Sequence, residues 1–336
     1  MKAAMYGVHR FERKVFDNAN REGMHEIVYI AAPLDATTVR LAEGCAAVIP
    51  SPQDSVDAAT LQLLAERGVK LIALRSAGYN NLDLAAAARL DFKSVYVPAY
   101  TPHAVAELVF ALTLALIRHV PRAYQRTRDE NFNVEGLVGT QLSGRTFGIV
   151  GLGKIGRVVA GIANGFGCKV IAFDPHTDAR AAPCPLVLLD ELLSGSHVVS
   201  LHAPLTPETR HLINAQRLAK MQPDAILVNT SRGPLVDAAA LIEVLKRDAL
   251  GGVALDVYER ESGVFYSDRS EQGLTDDVLA RLLTFPKVIV TSHMGVLTWE
   301  ALGEIARTTL ASLTEFEQGK NLSQELPLPE REMATC

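Results

Sequence analysis

The run Gly151-Leu152-Gly153-Lys154-Ile155-Gly156 constrains this chain more than any other feature, because of what surrounds it. An apolar stretch ending at Val150 reads as a strand, a helical pattern follows over 154–163, and a second strand over 169–173 runs into Asp174. Strand, glycine turn, helix, strand and terminal carboxylate together make a dinucleotide-binding βαβ unit, where the bare glycine spacing alone is weak. Gly151 permits the tight turn, Gly153 lets the backbone approach a pyrophosphate, and Gly156 lets helix and strand pack closely. Lys154 and Ile155 open the helix whose unpaired N–H groups receive the phosphates. Asp174 accepts hydrogen bonds from ribose hydroxyls and repels an added 2′-phosphate, which selects NAD over NADP. A glycine turn beside a surface aspartate, or a flavin site, explains the residues less well, the latter because the motif sits mid-chain after a complete smaller domain.

The chain has 336 residues, 48% of them apolar, which is more than one hydrophobic core usually organises, so two globular domains are expected. Its formal charge of −5 and interspersed lysines and arginines offer no long positive field for a nucleic-acid backbone. The longest apolar run, 107–117, is too short to cross a bilayer, and the N-terminus has no signal-peptide pattern. The reading is a soluble, cytoplasmic protein without nucleic-acid or membrane partners. Cys45, Cys168, Cys184 and Cys336 have neither C-x-x-C nor zinc-like spacing and are expected as free thiols.

Short apolar strands alternate with helical segments throughout. Strands are expected over 3–6, 26–31, 46–49, 70–74 and 94–97, with helices over 57–67 and 82–90. Pro98 closes this first α/β series, and a long helix over 103–118, apolar nearly all round, must be buried. The polar run 122–132 reads as a solvated helix end or loop. Six further strands, 146–150, 169–173, 197–201, 225–229, 252–256 and 288–291, alternate with helices and predict a doubly wound sheet. A final amphipathic helix spans 299–317.

Such sheets place chemistry beyond the carboxyl ends of their strands, so polar residues that follow a strand carry weight. His293 and His202 each follow a strand, whereas His197 begins one. Arg232 follows the strand ending at Asn229, and Glu261 follows the strand ending at Asp256. An arginine suits the carboxylate and carbonyl of a 2-oxo acid. A histidine paired with a carboxylate supplies a proton near neutrality. Glu259 competes with Glu261 for the carboxylate role. Asp256 is read as a supporting carboxylate, and His202, Ala203 and Pro204, with Thr230 and Ser231, as cofactor wall. No histidine spacing asks for a metal, and no G-x-S-x-G elbow asks for a hydrolase.

These stretches, with Leu74-Arg75-Ser76-Ala77-Gly78-Tyr79-Asn80-Asn81-Leu82-Asp83, Val97 to Glu107, His202 to Thr209, Asn229 to Gly233, Asp256 to Glu261 and Ser292-His293, resemble the D-isomer-specific 2-hydroxyacid dehydrogenases, most of all the fermentative D-lactate dehydrogenases. The resemblance implies two doubly wound parallel-sheet domains, with a Rossmann-type NAD domain at 101–298 inserted in a smaller flavodoxin-like substrate domain made of 1–100 and 299–336. It places the catalytic roles on Arg232, Glu261 and His293, substrate contacts on Ala77, Gly78 and Tyr100, and Asp256 beside the catalytic set and the cofactor. It further implies pyruvate or a related 2-oxo acid as substrate and a homodimer or higher oligomer. Two segments depart from the family pattern: Met294-Gly295-Val296-Leu297 after the histidine, and Ile49-Pro50-Ser51-Pro52. Both reshape the substrate wall, which leaves a bulkier acid such as phenylpyruvate or hydroxypyruvate open. Phosphoglycerate, formate and phosphite dehydrogenases, and an NAD-sensing corepressor, are the competing readings.

Overall fold

A computed structural model describes residues 1–98 and 101–327. Tyr100 and Cys336 lie outside the described residues. The chain forms two compact units, one from Met1–Thr101 and the chain from Val296, the other from Pro102–Gly295.

In the first unit the order is β1 (Lys2–Met5), α1 (Arg10–Ala19), β2 (Glu26–Tyr29), β3 (Ala47–Ile49), α2 (Ala58–Glu66), β4 (Leu71–Ala73), α3 (Leu84–Arg89) and β5 (Lys93–Val95). The strands make a parallel sheet in the order β2-β1-β3-β4-β5, the flavodoxin-like order. Alternation along β1 sends Ala3 and Met5 into one apolar cluster and Ala4 into the other, so both faces are covered. Asp57 and Asp83 cap α2 and α3 by accepting the amides of Thr60 and Ala86. Helix α1 was not expected. Only Val15 and Phe16 of it are buried, too few apolar positions to show a period.

The second unit runs α4 (Pro102–Ile117), α5 (Val120–Arg128), β6 (Thr146–Val150), α6 (Lys154–Gly165), β7 (Lys169–Phe173), α7 (Leu189–Gly195), β8 (Val198–Leu201), α8 (Ala215–Leu218), β9 (Ile226–Asn229), α9 (Ala238–Lys246), β10 (Gly252–Leu255), α10 (Asp277–Leu283) and β11 (Val288–Val290). The chain then finishes the first unit with α11 (Trp299–Glu317), capped by Thr298. The six-stranded sheet is parallel throughout, ordered β11-β10-β9-β8-β6-β7. Counted from its first strand this is 2-1-3-4-5-6, one strand on one side of β6 and four on the other, rather than the 3-2-1-4-5-6 of the standard dinucleotide fold. Its chain reversal still falls at β6, the strand that leads into Gly151.

Helix α4 is buried over most of its surface, and Phe110 stacks on Phe147 of β6 and on Phe166, with centroids 5.4 and 5.3 Å apart. No single helix among the described residues is long and apolar enough to cross a membrane, and α4 and α5 meet at 63°. Cys45 and Cys168 are buried and Cys184 half-buried, all free.

Candidate active site

The glycine turn has the geometry a dinucleotide requires. Gly151 takes φ +98°, and a Cβ there would lie 2.8 Å from the backbone of His202. A Cβ on Gly156 would stand 2.0 Å from the Gly151 carbonyl oxygen, so only glycine lets α6 start this close to the turn. Around Gly153 there is open space, and it begins α6 with no side-chain cap. The first amides of a twelve-residue helix are thus left for an anion. Beyond the next strand, Asp174 accepts the amides of Leu152 at 2.7 Å, His176 at 2.8 Å and Thr177 at 3.1 Å. Partial burial pushes its carboxyl up, but these bonds win and hold it below its usual range. The carboxylate is therefore ionised at neutral pH.

The residues expected as cofactor wall follow the ends of β8 and β9. Burial pulls the His202 imidazole down to about 4, and its Nε2 lies 2.8 Å from Ser200 Oγ. Ser231 Oγ donates to the Ala203 carbonyl at 2.7 Å, which ties the two strand-end loops together. The Thr230 hydroxyl is buried with no hydrogen-bond partner among the described residues. An unpartnered buried hydroxyl, an uncapped helix start and an ionised carboxylate fit a bound dinucleotide.

Arg232, Glu261 and His293 follow the carboxyl ends of β9, β10 and β11, three neighbouring strands. His293 Nδ1 donates to Glu261 Oε2 at 2.8 Å. The other carboxylate oxygen accepts the Tyr258 amide at 2.9 Å, so both oxygens are engaged and the imidazole orientation is fixed. His293 sits in the left-handed region at φ +56°, costly for a residue with a Cβ. Two bonds hold it there: its amide donates to the Asp256 carbonyl at 2.8 Å, and the Tyr266 hydroxyl donates to its own carbonyl at 2.7 Å. Arg232 leaves β9 in extended conformation, and Asn229 closes its turn by donating to the Arg232 carbonyl at 2.9 Å. One arm of the guanidinium, Nη1, donates to the Ser231 carbonyl at 2.7 Å.

Asp256 is wholly buried, and its carboxylate accepts from Thr291 Oγ1 at 2.6 Å and from the amides of Met294 and Gly295 at 2.9 Å. Burial pushes its pKa up against those bonds and the nearby His293. It shapes the turn that carries His293 rather than facing solvent. Glu259, which competes with Glu261 in the sequence, pairs instead with His211. Tyr266 and His211 were not anticipated. Each lies in a segment without regular structure, where no periodicity marks a side chain as inward.

In the first unit Ala77 and Gly78 follow β4, and Ser76 Oγ donates to the Gly78 carbonyl at 2.7 Å. The preceding residue, Arg75, is buried and binds Glu12 at 2.8 Å and the carbonyls of Ile49 and Gly7 at 3.3 and 3.2 Å. No three His, Cys, Asp or Glu side chains gather as a metal site among the described residues.

Comparison with known proteins agrees with this geometry. Residues 110–295 match the family model for the NAD binding domain of D-isomer specific 2-hydroxyacid dehydrogenases. The chain is 46% identical over 320 residues to 2-hydroxyacid dehydrogenase A of Aspergillus oryzae, covering 94% of this chain and 92% of that one. It is 42% identical over 328 residues to the D-lactate dehydrogenase of Escherichia coli, covering 97% and 100%. The apo-structure of D-lactate dehydrogenase from that organism superposes with a TM-score of 0.89 over 97% of this chain and 100% of that one. An aromatic 2-oxoacid reductase of Clostridium sporogenes is 36% identical over 319 residues, 94% of this chain and 96% of its own. A shared fold alone would not fix chemistry, but matches of 36–46% identity over nearly the whole chain and a dinucleotide turn built as above do: the chain belongs to the D-isomer-specific 2-hydroxyacid dehydrogenases and uses NAD.

Proposed function

We propose that this protein reduces pyruvate to D-lactate, with Arg232, Glu261 and His293 as the catalytic residues. The observation that carries this reading is the 2.8 Å bond between His293 Nδ1 and Glu261 at the end of β10 and β11, beside the strand that presents Arg232. NADH, when bound, supplies the hydride that C2 of the 2-oxo acid requires. Arg232 binds the substrate and stabilises the carbonyl oxygen as it becomes negative. With Nδ1 committed to Glu261, His293 presents Nε2 as the acid that protonates this oxygen, and as the base in the reverse direction. Glu261 holds the orientation of the imidazole. Asp256 supports the His293 turn. Gly151, Gly153, Lys154, Ile155, Gly156 and Asp174 hold the cofactor, with His202, Ala203, Pro204, Thr230 and Ser231 on its other side; Asp256, wholly buried, does not line it. Ala77, Gly78 and Tyr100 are assigned to the substrate from the family resemblance.

The test is a panel of pyruvate, 2-oxobutyrate, phenylpyruvate, hydroxypyruvate, oxaloacetate and glyoxylate, each with NADH, following absorbance loss and product handedness. Pyruvate is expected to give the highest kcat/KM. Preference for phenylpyruvate would select the bulkier-acid reading, which the exposed Met294 beside His293 and the Clostridium sporogenes relative favour. NADH binding without turnover on any 2-oxo acid would overturn the enzyme assignment.

Assembly as a homodimer and residence in the cytoplasm belong to the same proposal. Tyr124, Phe132, Val134 and Val138 leave an apolar stretch exposed, suited to cover by a second copy. Light scattering is expected to give twice the 36.3 kDa chain mass, and a monomer at micromolar concentration would remove the dimer.

A further inference from the structure

A second histidine–carboxylate pair lies within the NAD-binding unit, and its connections join three of the strand-end loops. His211 Nε2 donates to Glu259 Oε1 at 2.6 Å, and the other oxygen of Glu259 accepts the amide of Ala238, the first residue of α9, at 3.1 Å. Glu259 therefore has both oxygens engaged, and its side chain is only 19% exposed. His211 adopts φ +50°, an unfavourable conformation for a histidine, and its own amide donates to the Pro234 carbonyl at 2.7 Å. Two residues on, Ile213 bonds Leu235 and receives the amide of Asp237, so the segment after β8 is zipped to the loop after β9.

The loop after β9 also touches the loop after β10 with no space between. A Cβ on Gly233 would fall 1.9 Å from the Tyr258 carbonyl oxygen and 2.5 Å from the Glu259 nitrogen. Gly233 follows Arg232 directly, and the Tyr258 amide is what holds Glu261. The His211–Glu259 bond thus closes a ring through three loops: after β8 at His211, after β9 at Pro234 and α9, and after β10 at Glu259. Arg232 projects from one part of this ring and Glu261 from another.

We propose that His211 and Glu259 are positioning residues for the dehydrogenase reaction, their hydrogen bond clipping these three loops so that Arg232 and the Glu261–His293 pair stay in register. The proposal rests on Arg232, Glu261 and His293 being the reacting set. It treats the pair as a fixed link, not as a second proton donor: Glu259 is saturated by His211 and α9, and neither residue bonds Arg232, Glu261 or His293. A displacement of the reacting groups of an ångström or less suffices to slow such a reaction steeply, while the cofactor's anchors at the Gly151 turn and Asp174 lie outside the three clipped loops.

Four variants test this: Glu259→Ala, His211→Ala, the double variant, and Glu259→Gln. Glutamine keeps an oxygen for the Ala238 amide and offers an N–H to the neutral tautomer of His211, so it preserves the link without the charge. With pyruvate as substrate, each alanine variant is expected to lose about tenfold or more in kcat with NADH affinity changed less than about twofold. The double variant should be no slower than the worse single one, because one link is removed once. Glu259→Gln should recover most of the rate. A readout independent of turnover is the downfield imidazole N–H resonance of His293, identified by its loss in His293→Gln. It is expected to shift or broaden in both alanine variants and return in Glu259→Gln.

Alanine variants with wild-type kcat, or an unmoved His293 resonance, overturn the inference. So does an equal loss of turnover, NADH affinity and Tm that glutamine does not rescue, since that is the mark of a merely structural contact. A wild-type protein that reduces no 2-oxo acid sinks the proposed function instead, and the resonance still decides whether the link positions His293.

Discussion

At the scale of single residues, the carboxylates Asp256 and Glu261 have both oxygens engaged, while Arg232 and His293 use only part of their polar atoms within the chain. Glu261 has one oxygen on the Tyr258 amide and the other on His293, so changing it to glutamine removes charge while keeping shape. Glu261→Gln is expected to lower kcat by at most about a hundredfold to ten-thousandfold, the range that general acid–base partners contribute. His293→Ala should bind NADH normally and lose most turnover; unchanged turnover would remove His293 from the reaction. His202 provides a prediction about stability. Its folded-state pKa is pulled by burial from 6.5 to about 4, so between those values the unfolded chain binds a proton that the native one refuses. Stability therefore rises with pH across that window, is fully present above 6.5, and is lost as pH falls toward 4. His202→Gln should flatten the slope of Tm against pH there. Buried His25, also pulled down by burial, leaves part of that slope in place. An identical slope in the variant would show that His202 is not buried neutral. In the first unit, Arg75 and Glu12 form a pair with side chains 2% and 13% exposed. Arg75→Met leaves Glu12 uncompensated, and loss of one partner of a buried pair costs about 3–5 kcal/mol, readable as a shifted urea midpoint.

At the scale of elements, what could be read from the sequence followed the strength of each periodic signal. The buried strands and the helices 102–117 and 299–317 announce themselves by apolar runs or a clear 3.6 period. Helix α10 gives seven residues and two buried leucines, and it holds its place through the Asp276 cap, which accepts the amides of Val278 and Leu279 at 3.0 Å. This helix was not expected. The strand-end rule picked out Arg232, Glu261 and His293 because it needs only the strand boundaries. It could not separate Glu259 from Glu261, two carboxylates two residues apart, since that choice depends on which loop each one faces. Nor could it order the sheet: β7 lies on the far side of β6 from β8 by packing, and no residue pattern records a neighbour. Gly233 shows the same limit from the other direction. Nothing in Arg232-Gly233-Pro234 reveals that Tyr258 closes over it. Gly233→Ala must push backbone against backbone, with an expected cost of about 2 kcal/mol or more and a fall in kcat larger than any change in NADH affinity. A Gly233→Ala protein of full stability and rate would mean that the two loops are free to separate.

At the scale of the whole molecule, the chain is two self-sufficient units of unequal connectivity. The unit from Pro102 to Gly295 is one uninterrupted stretch, with six strands paired to one another and two apolar clusters, one on each face of its own sheet. The other is assembled from two distant stretches, since Ala306, Leu310 and Leu313 of α11 complete the cluster formed by Ala3, Met5 and Leu71. Removing α11 would therefore expose one face of the five-stranded sheet, whereas cutting at Pro102 and Gly295 severs no strand pair of the six-stranded one. Stability resides in buried apolar area and paired backbone groups, and each unit has its own apolar clusters and its own sheet. The excised segment 102–295 is accordingly expected to unfold cooperatively and, like the full chain, to raise the fluorescence anisotropy of NADH, because the Gly151 turn, Asp174 and Thr230 all lie inside it. A segment 1–101 without residues 296–327 should instead be molten, with exposed apolar surface that binds a hydrophobic dye. Cooperative folding of the truncated first unit, or an NADH-blind 102–295 segment, would show that the energetic boundary does not follow the apolar clusters.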